Sequence, residues 1–294
     1  MPNSVRFSQR HPFIFGLFLL FSAVVLLMGT MAFFRAWPGA GLLSGGAKLG
    51  VVRVQGSIES PRAIVDWVHK LQRDSQVEGI LVRINSPGGL VAPSQEIHAA
   101  LAQVDKPVVV SMGQVAASGG YYVACGADRI VANPGTITGS IGVKANVPNV
   151  RELMERLGIR QQVIVSGQYK DAGSPTKPLT DKERRYFQNL VDNLFGQFVD
   201  AVAEGRDMEP GKVRKLADGR AFTGSQAKRK GLVDDLGGRH KARAILKEMC
   251  GITKRVSLVE GPQRKRSLLR VLLEWLGLEL GEGVSRESGW IVRY

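Results

Sequence analysis

Histidine and cysteine are scarce in this chain of 294 residues, with four of the first and two of the second. Neither Cys125 nor Cys250 has metal-ligand spacing, so no metal site is expected and no organic cofactor is implied by any motif. Cys125 falls in an apolar run and reads as a buried free thiol. A Cys125–Cys250 disulfide is the alternative outside the cytoplasm. His11 borders an apolar stretch, His69 and His98 lie in amphipathic helix patterns, and no histidine occurs between Ser118 and His240. A Ser-His-Asp triad on His98 or His240 is therefore disfavoured, although triad order varies between folds. Acidic residues are also outnumbered, 26 against 40 Lys and Arg, for a net charge of +14. No nucleic-acid motif accompanies that excess. Its concentrations, Lys228-Arg229-Lys230 and Arg264-Lys265-Arg266, fit anionic lipid near an anchored domain or a solvated basic face better than nucleic acid. No internal repeat divides the chain into equivalent halves.

Charge is missing altogether from Pro12 to Phe34, a stretch of Phe, Leu, Val, Ala, Met and Gly. It exceeds the about 20 residues needed to cross a hydrocarbon core. A cleaved signal sequence usually has an apolar region of only about 7–15 residues and a small-residue cleavage site, which Thr30-Met31-Ala32 matches poorly. A retained single-pass anchor is expected. The flanking Arg6, Arg10, Arg35 and Lys48 give a weak orientation signal, which slightly favours a cytoplasmic N-terminus and an extracytoplasmic bulk. The expected organisation is a tail at 1–11, the anchor at 12–34, a glycine-rich linker at 35–47, a catalytic domain at 48–250 and a tail at 251–294. The apolar run Leu268 to Leu276 in that tail reads as a membrane-surface or subunit-docking segment, or as an ordinary closing helix.

Between the linker and the tail, strand and helix patterns alternate. Strands are expected at Val51–Val54, Gly79–Ile84, Val108–Val110, Arg129–Val131, Ile141–Val143 and Val163–Val165. Helices are expected at Ala63–Leu71, Ser94–Val104, Ser118–Ala127, Val150–Leu157 and Asp181–Ala203. The last carries a buried stripe of Phe187, Leu190, Val191, Leu194 and Phe198. This alternation predicts βαβ units and a mainly parallel sheet, an α/β fold.

Within that frame, Ser118 stands in Ala116-Ala117-Ser118-Gly119-Gly120-Tyr121-Tyr122 and Lys170 in Ser166-Gly167-Gln168-Tyr169-Lys170-Asp171. A serine hydroxyl needs a base to become a nucleophile. A lysine can serve once burial has disfavoured its charged form, and can then return the proton to a leaving amine. Asp171 is expected to point away from the Lys170 amine, since a paired carboxylate would hold it charged. The glycines around Ser118 and in Ser86-Pro87-Gly88-Gly89 let backbone amides approach a reacting carbon, as an oxyanion hole requires. Taken singly, each glycine pair is a plain turn and Lys170 a surface lysine.

These segments, with Arg83-Ile84-Asn85, Thr138-Gly139-Ser140-Ile141-Gly142-Val143, Thr223-Gly224-Ser225-Gln226-Ala227 and Gly231-Leu232-Val233-Asp234, occur in an order that resembles the signal peptide peptidase A family of membrane-anchored serine peptidases, in its short single-domain form. The resemblance covers roughly Val51 to Gly238. It implies a Clp protease/crotonase-like fold of stacked βαβ units, with Ser118 as nucleophile and Lys170 as general base. It further implies Gly88 and Gly89 as oxyanion donors, Gly119 as a further one, and Ser140 as the group orienting the lysine. Remnant signal peptides and other peptides are the implied substrates. Homo-oligomeric rings are the implied assembly, with the dyad open to completion across a subunit boundary. Two rivals are weighed against this: a crotonase-type acyl-thioester enzyme, and a non-catalytic membrane scaffold on the same fold.

Overall fold

The valine- and isoleucine-rich runs form parallel strands covered on both faces, which is why they lack a polar side. The computed structural model describes residues 11–36, 47–262 and 291–294. The described residues fall into two units, one holding an N-terminal helix and the other a body from Ala47 to Tyr294. The basic cluster at 264–266 and the apolar run at 268–276 lie outside the described residues.

Helix α1, Pro12–Ala36, is 25 residues long, about 37 Å at 1.5 Å per residue. That exceeds a hydrocarbon core of about 30 Å. Its few polar side chains are satisfied within the helix: the Ser22 hydroxyl donates to Phe18 O at 2.8 Å and that of Thr30 to Leu27 O at 2.9 Å. It fits a single-pass anchor or a signal sequence.

In the body the order is β1 (Lys48–Gln55), α2 (Arg62–Arg73), β2 (Val77–Ser86), α3 (Val91–Ala102), β3 (Val108–Ala117), α4 (Gly119–Ala124), β4 (Arg129–Ala132), β5 (Ile137–Gly139), β6 (Lys144–Asn146) and α5 (Arg151–Arg156). There follow α6 (Asp181–Gly205), α7 (Pro210–Leu216), β7 (Ala221–Thr223), α8 (Gly224–Arg229), β8 (Asp235–Leu236), α9 (Arg239–Met249), β9 (Ser257–Gly261) and β10 (Ile291–Arg293). Eight strands form one sheet in the order β7-β5-β3-β2-β1-β9, with β4 on β3 and β8 on β4. All pairings are parallel except β5 with β7. Strand β3 forks: Val109–Ser111 pair with β4 and Val115–Ala117 with β5. This mixed α/β architecture is Clp-protease-like, as expected from the motifs.

Because side chains alternate along a strand, neighbouring residues serve two cores. Val52, Val54, Val82 and Ile84 join the larger, under α2, α3, α4 and α6. Leu49, Val51, Leu81, Val109 and Val131 pack with Ala242 and Leu246 of α9 on the other face. Of the expected α6 stripe, Phe187 and Phe198 are buried while Leu190, Val191 and Leu194 are half-buried.

Two expected strands are absent. Residues 141–143 are irregular because Gly139 (φ 74°) and Ser140 (φ 48°) turn the chain out of extended geometry just before them. Val163–Val165 remain exposed, Ile164 at 92%, and no strand among the described residues pairs with them. The helix expected at Ser118–Ala127 shortens to a six-residue α4 that starts after Ser118.

Helix α6 begins with a capping box: Thr180 Oγ1 accepts from Glu183 N, and Glu183 accepts from Thr180 N at 2.9 Å. The Lys177 ammonium donates to Glu183 at 2.8 Å. Lys177, then the Thr180 amide, hold the Glu183 carboxyl down at about 2. A depressed folded value stabilises above the unfolded value near 4.5 and is lost as pH falls toward 2. Glu183→Gln should therefore melt about 2–4 °C below wild type at pH 6. That gap should close between pH 4.5 and 2, read by circular dichroism melts. A gap independent of pH would refute this.

Candidate active site

Ser118 sits between the end of β3 and the start of α4, with φ 55° and ψ −123°. Such a conformation costs a non-glycine residue about 1–3 kcal/mol and persists only where its surroundings enforce it. Several neighbours do so. Ser118 N donates to Gly139 O at 2.8 Å, and Ser118 O accepts from Tyr121 N and Tyr122 N, both at 2.9 Å. Behind the helix, the Tyr121 hydroxyl donates to Leu232 O at 2.8 Å. Asp234 accepts from Ile130 N at 2.7 Å and pairs with Arg206. The Gly231–Asp234 motif is thus the backing of the serine turn. The Thr223–Ala227 motif is a capping box in which Thr223 and Gln226 bond reciprocally at the start of α8.

The Arg83–Gly89 motif lies alongside. Asn85 Oδ1 accepts from Gln114 N at 3.0 Å and Val115 N at 3.2 Å, and Arg83 Nη1 donates to Ser111 Oγ and Met112 O, both at 2.8 Å. These bonds fasten the end of β2 to β3. The Gly88 backbone then meets the serine turn with no room to spare: a Cβ there would lie 2.8 Å from Gly119 N and 2.9 Å from Ser118 Cβ. A Cβ on Gly119 would lie 3.2 Å from Gly89 N. Of the three expected oxyanion donors, the Gly88 amide donates to Ser86 Oγ at 3.1 Å. Among the described residues the Gly89 and Gly119 amides have no acceptor, and they lie beside each other at Ser118. Gly88 combines this crowding with φ 108°. Gly88→Ala should lower the melting temperature by at least about 5 °C and turnover by about 10² through displaced donors. Unchanged melting and turnover would refute the close fit.

A cavity of about 290 Å³ opens at the serine, lined by Ser118, Ser140, Gly142, Val143, Lys144, Gly219 and Tyr294. It therefore unites Ser118 with Ser140. Lys170 does not line it. It occupies a turn at 166–173 with its side chain exposed, its amide donating to Gly167 O at 2.9 Å. That turn is tied to the start of α6. Tyr169 packs on Tyr186 at 5.1 Å, Lys182 lies over the Tyr169 ring, and Asp171 pairs with Lys177 at 3.1 Å. Asp171 thus points away from the Lys170 amine, as expected. The lysine at the cavity wall is Lys144, which no motif had singled out.

No described histidine lines the cavity. His98 Nδ1–H donates to Tyr122 O at 3.0 Å, and burial lowers its pKa; it braces α4. Both cysteines are free. Burial pushes the Cys125 thiol up to about 12, which makes it inert. Among the described residues no group of His, Cys, Asp and Glu could hold a metal. The sequence reading missed Tyr294 and Gln95 at this site, since nothing local marks either.

The chain is similar to known proteins. The family model of Peptidase family S49 matches residues 100–253, and that of Clp protease matches residues 48–138. A protein named as a protease from Synechocystis sp. is 44% identical over 208 residues, 70% of this chain and 75% of its own. A protein from Enterococcus faecium bearing the name signal peptide peptidase SppA is 37% identical over 72% of this chain and 62% of its own. The chloroplastic serine protease SPPA of Arabidopsis thaliana is 34% identical over 76% of this chain and 34% of its own.

Proposed function

Because the chain belongs to peptidase family S49, we propose that it is a membrane-anchored endopeptidase in which Ser118 is the nucleophile and Lys170 the general base. One observation carries the reading: a strained serine faces a cavity with the Gly89 and Gly119 amides beside it. Ser118 Oγ attacks the peptide carbonyl carbon as Lys170 Nζ takes its proton. Negative charge grows on the carbonyl oxygen, where fixed N–H donors are worth most. The C–N bond then breaks, the leaving nitrogen takes the proton from Lys170, and an acyl-serine remains. Water, deprotonated by the same amine, releases the acid and restores the serine.

A lysine base has to be taken out of water, and in a single chain Lys170 is exposed. The chain from α5 to that turn also leaves Leu153, Leu157, Ile159 and Ile164 more than half exposed. A run of apolar surface this long marks an interaction site. A second copy covering it would desolvate Lys170 and bring it to a neighbour's Ser118, with Ser140 as the orienting hydroxyl. Homo-oligomeric assembly is therefore part of this reading. The substrates are extended peptides, with remnant signal peptides suited to an anchored enzyme whose domain lies outside the cytoplasm. The test is hydrolysis of a signal-peptide-derived fluorogenic peptide by detergent-solubilised protein, beside Ser118→Ala and Lys170→Ala.

A further inference from the structure

Between Ser86 and Leu90 the main chain has three N–H groups, and two of them are taken. Ser86 ends β2, is fully buried and pairs in register with Ala116 of β3. Pro87 has no N–H to give. The Gly88 N–H donates to Ser86 Oγ at 3.1 Å, and that hydroxyl in turn lies 3.4 Å from Gly88 O. The Leu90 N–H donates to Ile58 O at 2.8 Å. The Gly89 N–H, between them, has no acceptor among the described residues and lies beside the serine turn. Past the loop, the Ser94 hydroxyl donates to Leu90 O at 2.8 Å.

Two peptide planes set the direction of that donor. In a trans peptide the carbonyl and the next N–H point to opposite sides. Ile58 N donates to Gly88 O at 2.9 Å, so the same plane turns the Gly89 N–H away from Ile58 and toward Gly119. The preceding plane carries the Gly88 N–H, and Ser86 Oγ holds it. The two planes meet at Gly88, whose φ is 108°. Gly88 is buried, and a buried N–H without an acceptor is costly. Robbed of Ser86 Oγ, the first plane would rotate to find a partner. Glycine offers little torsional resistance, so the second plane would move with it.

We propose that Ser86 is a positioning residue for the reaction at Ser118. By accepting the Gly88 N–H it aims the Gly89 N–H, and it makes Gly89, rather than Gly88, the oxyanion donor of this loop. Ser86 touches no substrate and acts only through the loop. A misaimed donor weakens the transition state, where charge has grown on the carbonyl oxygen, far more than it weakens binding of the uncleaved peptide. This role rests on the peptidase reading.

The test compares Ser86→Ala and Ser86→Cys with the parent, as full chains in detergent. The thiol keeps the shape of the hydroxyl but is a weak acceptor, so it separates the hydrogen bond from packing. Amide exchange at Gly88, read by fragmentation mass spectrometry, should be at least about tenfold faster in both variants. Hydrolysis of the signal-peptide-derived fluorogenic peptide should lose about 10–10² in kcat, with KM within about twofold of the parent. Affinity for the aldehyde of the same peptide should fall by the same factor as kcat, because its hemiacetal with Ser118 places an oxygen where the oxyanion forms. Unchanged exchange at Gly88 would show that the hydroxyl does not hold the amide. Faster exchange with kcat and aldehyde affinity unchanged, or a loss carried by KM, would overturn the positioning role. Should one variant fail to fold, the other still decides. A parent that neither cleaves the peptide nor binds the aldehyde would sink the peptidase reading itself, whatever the exchange at Gly88.

Discussion

Replacing Ser118 by alanine is expected to lower peptide hydrolysis by at least about 10⁴-fold, with melting temperature within about 2 °C of wild type. The rate expectation follows from the proposed covalent catalysis: without the hydroxyl no acyl-enzyme would form, and only oxyanion stabilisation and binding would remain. At 1.36 kcal/mol per factor of ten, the loss is about 5 kcal/mol of transition-state stabilisation. The stability expectation follows from geometry. Alanine keeps the Cβ beside Gly88, the φ of 55° and the backbone bonds to Gly139, Tyr121 and Tyr122, so only an oxygen facing the cavity is removed. Loss of activity together with loss of structure would leave Ser118 a mere folding element. Retained activity would remove the serine mechanism.

On the proposed mechanism Lys170→Ala should cost a comparable factor, about 10³–10⁴, because the lysine would both take the serine proton and return it to the leaving nitrogen. The informative experiment is to co-express it with Ser118→Ala. If each site takes its serine from one copy and its lysine from the next, random mixing leaves roughly one site in four with both groups, and about a quarter of wild-type activity returns. If both groups came from one copy, mixing would restore nothing. Lys144→Ala is the control, since Lys144 lines the cavity with Ser118. It should keep activity within about threefold, and a loss as deep as that of Lys170→Ala would transfer the role of base to Lys144.

The central strands could be read from sequence because a parallel strand covered on both faces is nearly all valine, isoleucine and leucine. The serine turn could be read because its backbone path needs glycine at 88 and 119, and glycines clustered beside a serine stand out. Where short-range pattern fails, so did the reading. Val163–Val165 has strand composition, but no strand among the described residues pairs with it. Strands β7 and β8 are three and two residues long, below any periodicity. Helix α9 buries only Ala242 and Leu246, too little apolar surface to declare itself among its basic residues. Tyr294 meets Gln95 across 199 positions, a contact made by topology alone.

The exposed turn carrying Lys170 has a consequence for when the enzyme works. A lone copy holds Ser118 and the Gly89 and Gly119 amides at the end of the sheet, and Lys170 on an exposed turn that does not line that cavity. On the proposed mechanism such a copy is inactive until a neighbour completes its site. On that mechanism a newly inserted molecule would diffuse inert in the bilayer, and would switch on only when surface density brought enough neighbours together. Expression level would then set the threshold at which proteolysis begins.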